Sequence, residues 1–415
     1  MHQRPDDRAQ SASIAIPADG QTGAPTKTLL LCFSHLRWDF VWQRPQHLLS
    51  RATRSFDVIV FEEPVLEADA APRVDITSRP CGIRVAVPVL PWGMGPVEQI
   101  MAQRQLLERL IAGEASASRI FWYYTPMAMA FSGHIPADVT VYDNMDELSA
   151  FAGASPELLA HEGDLFARAD LVFTGGMSLY EAKRGRHPNV HAFPSSIEFE
   201  HFATARSRGR SEPEDQAAIA HPRLGFFGVI DERMNVDLVG QIAGLRPDWQ
   251  LVMIGPDAKI DPATLPRLKN IHWLGPKSYA DLPRYLGGWD VGIMPFALNE
   301  ATRFISPTKT PEFLAAGVPV VSTAIRDVVR PYGEKGLVEV AATAEDMVAK
   351  AEALMARPRG PWLSRVDRHL AAGSWDKTWN AMHRLIADGL GEPLSSGRTS
   401  RDATAGGAFV MGSVE

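Results

Sequence analysis

Short apolar runs rich in β-branched residues alternate with amphipathic stretches along most of the chain. The runs at 28–33, 56–61, 83–88, 119–124, 138–143, 170–174 and 189–194 have strand length and are bounded by turn residues, so each predicts a buried strand. Between them, helical spacing is read from near Pro45, over 97–114 with apolar Ile100, Met101, Leu107, Leu110 and Ile111, from near Glu147, over 156–169, and from Met177. A second series follows, with strands at 223–228, 250–255, 271–275 and 289–295 and helices from Val236, over 280–286, near 343–356 and over 375–388. Such βα alternation predicts an α/β chain of mostly parallel, doubly wound sheets with helices on both faces. Residues 204–221 are polar and without period, and read as a linker between units at 27–203 and 222–372. The segments 1–26 and 391–415 are read as disordered tails.

The stretch Ser306–Thr323, SPTKTPEFLAAGVPVVST, compresses a helix start, a helix stop and a buried strand. Ser306 suits an N-cap and Pro307 the first helical position, while a later start with Thr310 as cap and Pro311 first competes. Gly317 and Pro319 end the helix, and ValProValValSer is a strand. Lys309 in the first turn and Glu312 at i+3 lie close to one face. An ammonium beside a helix start at Ser306, Pro307 and Thr308 favours a phosphate, and a carboxylate one turn on can accept from hydroxyls. A phosphate beside a diol describes a nucleotide sugar; the competing reading is a surface i,i+3 ion pair.

Other candidates cluster where strands end. The loop SHLRWDFVWQRPQH carries His35, Trp38, Trp42 and Arg44, a density of polar-tipped large groups suited to a binding mouth, against which stands a plug of tryptophans with solvated arginines. Asp143, Asn144 and Asp146 follow the run 138–143, and ligands of open α/β sheets bind beyond strand carboxyl ends; alternatively Asn144 or Asp146 merely caps a helix from Glu147. Gly228, Gly255 and Gly275 each close a strand of the second series and allow close backbone approach to a ligand.

Composition narrows the classes. The 415 residues are 45% hydrophobic and 22% charged, and 42 Lys+Arg against 49 Asp+Glu give −7, which argues against nucleic acid as main partner. Two cysteines, one in the first apolar run, make a disulfide framework implausible and fit a reducing cytoplasm. The N-terminal segment lacks the apolar core of a secretory signal, and no apolar run approaches the ~20 residues of a spanning helix, so membrane contact is expected to be peripheral at most. The helix at 97–114 has a mixed polar face, which favours packing on the sheet over a membrane surface. Neither GxGxxG after the first strand nor a Walker-type GxxxxGK[ST] is present, and no His/Cys cluster has metal-ligand spacing; no metal or other cofactor is expected.

Taken together, FSHLRWDFVWQRPQHLLSR, VYDNMDELSAF, ADLVFTGGMSLYEAK, HWLGPKSYADLPRYL, WDVGIMPF and the central stretch resemble GT-B glycosyltransferases, in particular glycosyltransferase family 4 and the bacterial teichuronic-acid-type enzymes, over roughly 28–390. The resemblance implies two Rossmann-like domains facing a cleft, a nucleotide sugar held mainly by the second, a glycan or lipid-linked acceptor held mainly by the first, and a C-terminal helix, at 373–390, crossing back to the first. It implies a ribose-diol role for Glu312, retention of anomeric configuration, and a donor phosphate that takes the acceptor proton, with Asp143 as fallback base. It also connects the chain with cell-envelope or exopolysaccharide synthesis. Two departures stand out: Phe304 replaces the first of the family's paired glutamates, and Val229 follows Gly228 where many members have Arg. Cation duty then falls to Lys309, Arg233 and Arg303, with Asn235 and Lys277 as further donor-side candidates and His35, Trp38, Trp42, Arg44, Asn144 and Asp146 on the acceptor side. A sugar-nucleotide 2-epimerase of the same fold and a catalytically idle binding subunit are the alternatives.

Overall fold

The computed structural model describes residues 27–151, 153–207 and 211–391. The tail at 1–26, nearly all of that at 391–415 and part of the segment 204–221 lie outside the described residues.

The first sheet is built from β1 (Leu29–Ser34), β2 (Asp57–Glu62), β3 (Val65–Glu67), β4 (Arg73–Ser78), β5 (Arg84–Pro91), β6 (Arg119–Tyr123), β7 (Val139–Asn144), β8 (Leu171–Thr174) and β9 (Val190–Ala192). Its order is β3-β5-β2-β1-β6-β7-β8-β9, with β4 alone antiparallel, against β5. All six residues of β1 are buried, as expected of a strand covered on both faces. The second sheet orders β12 (Ile271–Gly275), β11 (Gln250–Ile254), β10 (Arg223–Phe227), β13 (Val291–Met294), β14 (Val320–Ser322) and β15 (Glu339–Val340), all parallel. In each sheet the first strand lies inside, with its successor on one side and a later strand on the other. The order therefore reverses at β1 and at β10, and a crevice opens beyond their carboxyl ends.

Several local expectations are corrected. β3 and β4 were not read from the sequence; β3 is exposed throughout and β4 nearly so, which leaves no buried period. A single 3-10 turn, Leu148–Ala150, stands where a helix from Glu147 was expected, so neither Asn144 nor Asp146 caps an α-helix there. The helix of the central stretch spans Lys309–Ala315, with Thr308 preceding it and no side-chain cap, later than the Ser306 start and earlier than the Thr310 one. The segment 204–221 holds a short helix, Glu214–Ala217. A helix at Arg359–Leu370 also escaped the reading.

The helix Trp375–Leu390 opens on Ser374, whose side chain accepts from the Lys377 N–H. Its stripe Trp375, Trp379, Met382 and Ile386 enters the core made by Leu30, Val58, Trp122 and Val141 of the first sheet. Each such side chain contributes ~1.5–3 kcal/mol by burial. The chain thus passes between the sheets twice, and the two passages touch where Trp375 N–H donates to the Ile197 carbonyl at 3.4 Å. Among the described residues no helix is long and apolar enough to cross a membrane.

Candidate active site

A cavity of about 510 Å³ lies between the two sheets, lined from the first by the loop Trp38–Arg44, Met145, Asp146 and Gly175, and from the second by Gly228, Gly255, Lys277, Tyr279 and the segment Ile305–Lys309 with Glu312. The glycines after β10 and β11 set its floor. Gly228 has φ +140° and Gly255 φ +148°, backbone that L side chains rarely adopt. A methyl on Gly255 would meet the Gly228 carbonyl oxygen at 1.8 Å, and one on Gly228 would meet Lys309 Cε at 1.9 Å. The two loops therefore lie against each other, with the lysine side chain across them.

Glu312 follows one turn on and is 5% exposed. Burial pushes its carboxyl up from 4.5 to about 8, held back by the Lys309 charge, while burial pushes the Lys309 ammonium down against the pull of Glu312. Arg233 faces the same cavity; its Nε and Nη2 donate to Asp231, and its guanidinium lies 5.6 Å from the centroid of the Phe151 ring. Lys277 pairs with Asp215 at 2.8 Å. Ser306, Pro307 and Thr308 form the wall beside Lys309, and the Ser306 carbonyl accepts from Ser195 Oγ at 2.7 Å.

On the opposite wall Trp38 is buried and Trp42 is 38% exposed. Trp42 stacks on Tyr279 with centroids 5.7 Å apart, so one ring of each sheet's loops meets across the cavity. The Tyr279 hydroxyl donates to Glu198 at 3.1 Å, and Arg51 Nη2 donates to the same carboxylate at 3.1 Å. Burial alone would raise Glu198; His47 at 3.6 Å and Arg51 overcome it and hold the carboxyl at about 2. Trp42 Nε1 donates to His47 Nδ1 at 3.3 Å, and burial lowers that imidazole against the pull of Glu198. Asp146 lines the cavity, its carboxyl raised by burial against the opposing charge of Arg233.

Other sequence candidates are placed elsewhere. Asp143 is fully buried and accepts from Arg44 Nε and Nη2 at 2.8–3.2 Å, away from the cavity lining, which removes it as a base for an acceptor hydroxyl. Arg44 touches the lining but spends its guanidinium on Asp143 and on the Phe193 carbonyl. Asn144 donates to Tyr142 Oη and to the Asp146 carbonyl, so it holds the turn of Asp146 without lining the cavity. His35 is half-buried and does not line the cavity, its imidazole pushed down to about 4 by desolvation, then by Lys259. Arg303 points to solvent and pairs with Glu300 at 3.3 Å, because its 3-10 turn faces away. Asn235 caps the helix Val236–Leu245 by accepting from Leu238 N–H. Gly275 accepts from the Gly255 N–H through its carbonyl and leaves the lining to Pro276. Tyr279 and Glu198 are functional-site residues that the sequence does not single out; Tyr279 follows a glycine-ended strand, which is the signal that points to it. Among the described residues no three His, Cys, Asp or Glu side chains gather as a metal site.

Residues 221–357 match the family model for Glycosyl transferases group 1. Fold and match together mark the chain as a transferase, a glycosyltransferase of the GT-B fold class. A curated relative, TuaH of Bacillus subtilis, named for a teichuronic acid biosynthesis glycosyltransferase, is 27% identical over 309 residues, 68% of this chain and 74% of that one. Among solved structures, sucrose-phosphate synthase from Thermosynechococcus elongatus superposes with a TM-score of 0.63 at 15% identity, over 87% of this chain and 99% of that one. A UDP-forming α,α-trehalose-phosphate synthase from Burkholderia xenovorans, in complex with glucose 6-phosphate, gives 0.62 at 12% identity, over 87% and 100%.

Proposed function

We propose that the chain transfers a sugar from a nucleotide-sugar donor to a glycan or lipid-linked acceptor, with retention and without a metal. The observation that carries this is the half-buried Lys309 beside the buried Glu312 one helix turn on, over a floor of glycine-ended loops, on the half that matches the family model. Glu312 accepts from the ribose hydroxyls, and Lys309 with Arg233 faces the diphosphate. The bond from the anomeric carbon to the diphosphate oxygen breaks, a bond to the acceptor oxygen forms, and the acceptor proton passes to the departing phosphate. The side-chain cations stabilise the charge that grows on the leaving group, a contribution of ~10²–10³ in rate for one such donor. The acceptor is assigned to the wall of Trp38, Trp42 and Asp146. The name of the Bacillus subtilis relative supports a role in cell-envelope polysaccharide synthesis, and the reaction is assigned on this reading to the cytoplasm, at the inner face of the membrane where the acceptor is lipid-linked.

Calorimetric titration of UDP, GDP, dTDP and ADP into the wild type and Glu312→Ala tests the reading. One nucleotide is expected to bind, and the variant to lose ~1–3 kcal/mol of its affinity. Binding of none to the wild type overturns the reading in favour of an idle subunit; turnover of the nucleotide sugar without acceptor turns it to an epimerase. Chelation of divalent ions should leave the rate unchanged.

A further inference from the structure

We infer that the sugar unit entering the acceptor side of the cavity is uncharged, not a sugar phosphate or a uronic acid; this rests on the transferase reading above. The first-sheet wall carries two rings open to the cavity, Phe40, 51% exposed, and Trp42, 38% exposed with one side stacked on Tyr279, while Trp38 packs behind them into the core of the sheet. Such rings present flat apolar faces to the C–H faces of a pyranose and leave its hydroxyls free to bond at the edge.

The charges on this wall point the same way. Arg44 is its cation, and that guanidinium is held by the fully buried Asp143 through Nε and Nη2. Asp39 is matched by Arg79, which donates through Nε and Nη2 at 3.0 and 2.5 Å. Asp146 then leaves the wall with a net negative character, its position fixed through the Asn144 bond to its carbonyl. The cations Lys309 and Arg233 come from the second sheet, where the donor diphosphate draws them. A carboxylate in a half-enclosed cavity accepts well from a sugar hydroxyl and repels a second anion. The fold alone does not decide this, since a trehalose-phosphate synthase of the same fold is seen with glucose 6-phosphate.

The test is a nucleotide-release assay on the full chain with the donor found by calorimetry, comparing phenyl glucoside, galactoside and mannoside with glucose 6-phosphate and phenyl glucuronide. At least one neutral glycoside is expected to accelerate release over the acceptor-free rate, with kcat/KM about tenfold or more above either anionic compound. Asp146→Asn should lower the neutral rate and narrow that gap, while nucleotide affinity, read in the same preparation, stays within about threefold. An anionic compound equal to or better than the neutral ones overturns the inference, as does donor binding without acceleration by any neutral glycoside. Absence of donor binding overturns the transferase reading itself, and the inference with it.

Discussion

The Lys309 side chain lies across the α-carbon of Gly228, so close that a methyl placed there would sit 1.9 Å from Cε and 2.7 Å from Nζ. The lysine can reach the cavity in this way because residue 228 has no side chain and holds φ at +140°. Gly228→Ala should therefore act on Lys309 from a distance, lowering kcat by ~10²–10³, as Lys309→Ala does. The double variant should lose little more than either single one, since both remove the same interaction. Steady-state kinetics on the three proteins decide it, and a near-normal kcat in Gly228→Ala would separate the glycine from the lysine.

Glu312 sets a pH dependence. Its carboxyl is raised from 4.5 to about 8 by burial, so the folded state holds a proton that the unfolded chain gives up. A raised acid contributes its full stability below pH 4.5 and loses it as pH rises towards 8. Glu312→Gln should accordingly raise Tm at pH 8 relative to wild type and leave it nearly unchanged near pH 4.5, while nucleotide affinity falls. Melting curves across that range check the sign, and a Glu312→Gln protein less stable than wild type at pH 8 would contradict it.

Asp143 is expected to behave as structure, not as chemistry. Removing the charge opposite a buried guanidinium costs ~3–5 kcal/mol, so Asp143→Asn should shift the denaturation midpoint strongly. The fraction that folds should retain kcat within about an order of magnitude, since the substitution does not touch the cavity wall directly. A variant of unchanged stability with the rate abolished would restore Asp143 to the reaction.

Tyr279 joins the two sheets by its ring and by its hydroxyl. Tyr279→Phe removes only the bond to the ionised Glu198, a change of ~1.5–3 kcal/mol in stability. Tyr279→Ala also removes the stack on Trp42 and on His201, at 4.5 Å, and should weaken nucleotide binding by up to about tenfold. Calorimetry on the pair separates ring from hydroxyl, and equal affinities in the two variants would give the ring no part in nucleotide binding.

What the sequence made legible follows from where information is local. Strands such as β1 and β7 are buried on both faces and open on apolar runs that announce themselves, and the glycine, lysine and glutamate of the second-sheet wall lie at strand ends or within one helix turn. β4 was missed because its only neighbour, β5, leaves most of its residues exposed. The helix Arg359–Leu370 carries a buried stripe of Trp362, Val366 and Leu370, an i, i+4, i+8 signal that its arginines obscured. The roles of Asp143 and Arg44 were not readable, because what decides them is a pairing between residues distant in the chain. Arg303 and Arg233 looked alike in sequence; they differ in which way their loops turn, which tertiary packing settles.

Because Trp379, Met382 and Ile386 fill the first sheet's core, the half of the molecule that is synthesised first is finished last. A nascent chain that has emerged only through the second sheet still exposes the surface of Leu30, Val58 and Val141 that this helix covers, so the order of folding on the ribosome cannot simply follow the order of the domains. The helix Trp375–Leu390 works as a latch that closes the first lobe only after the second has been translated.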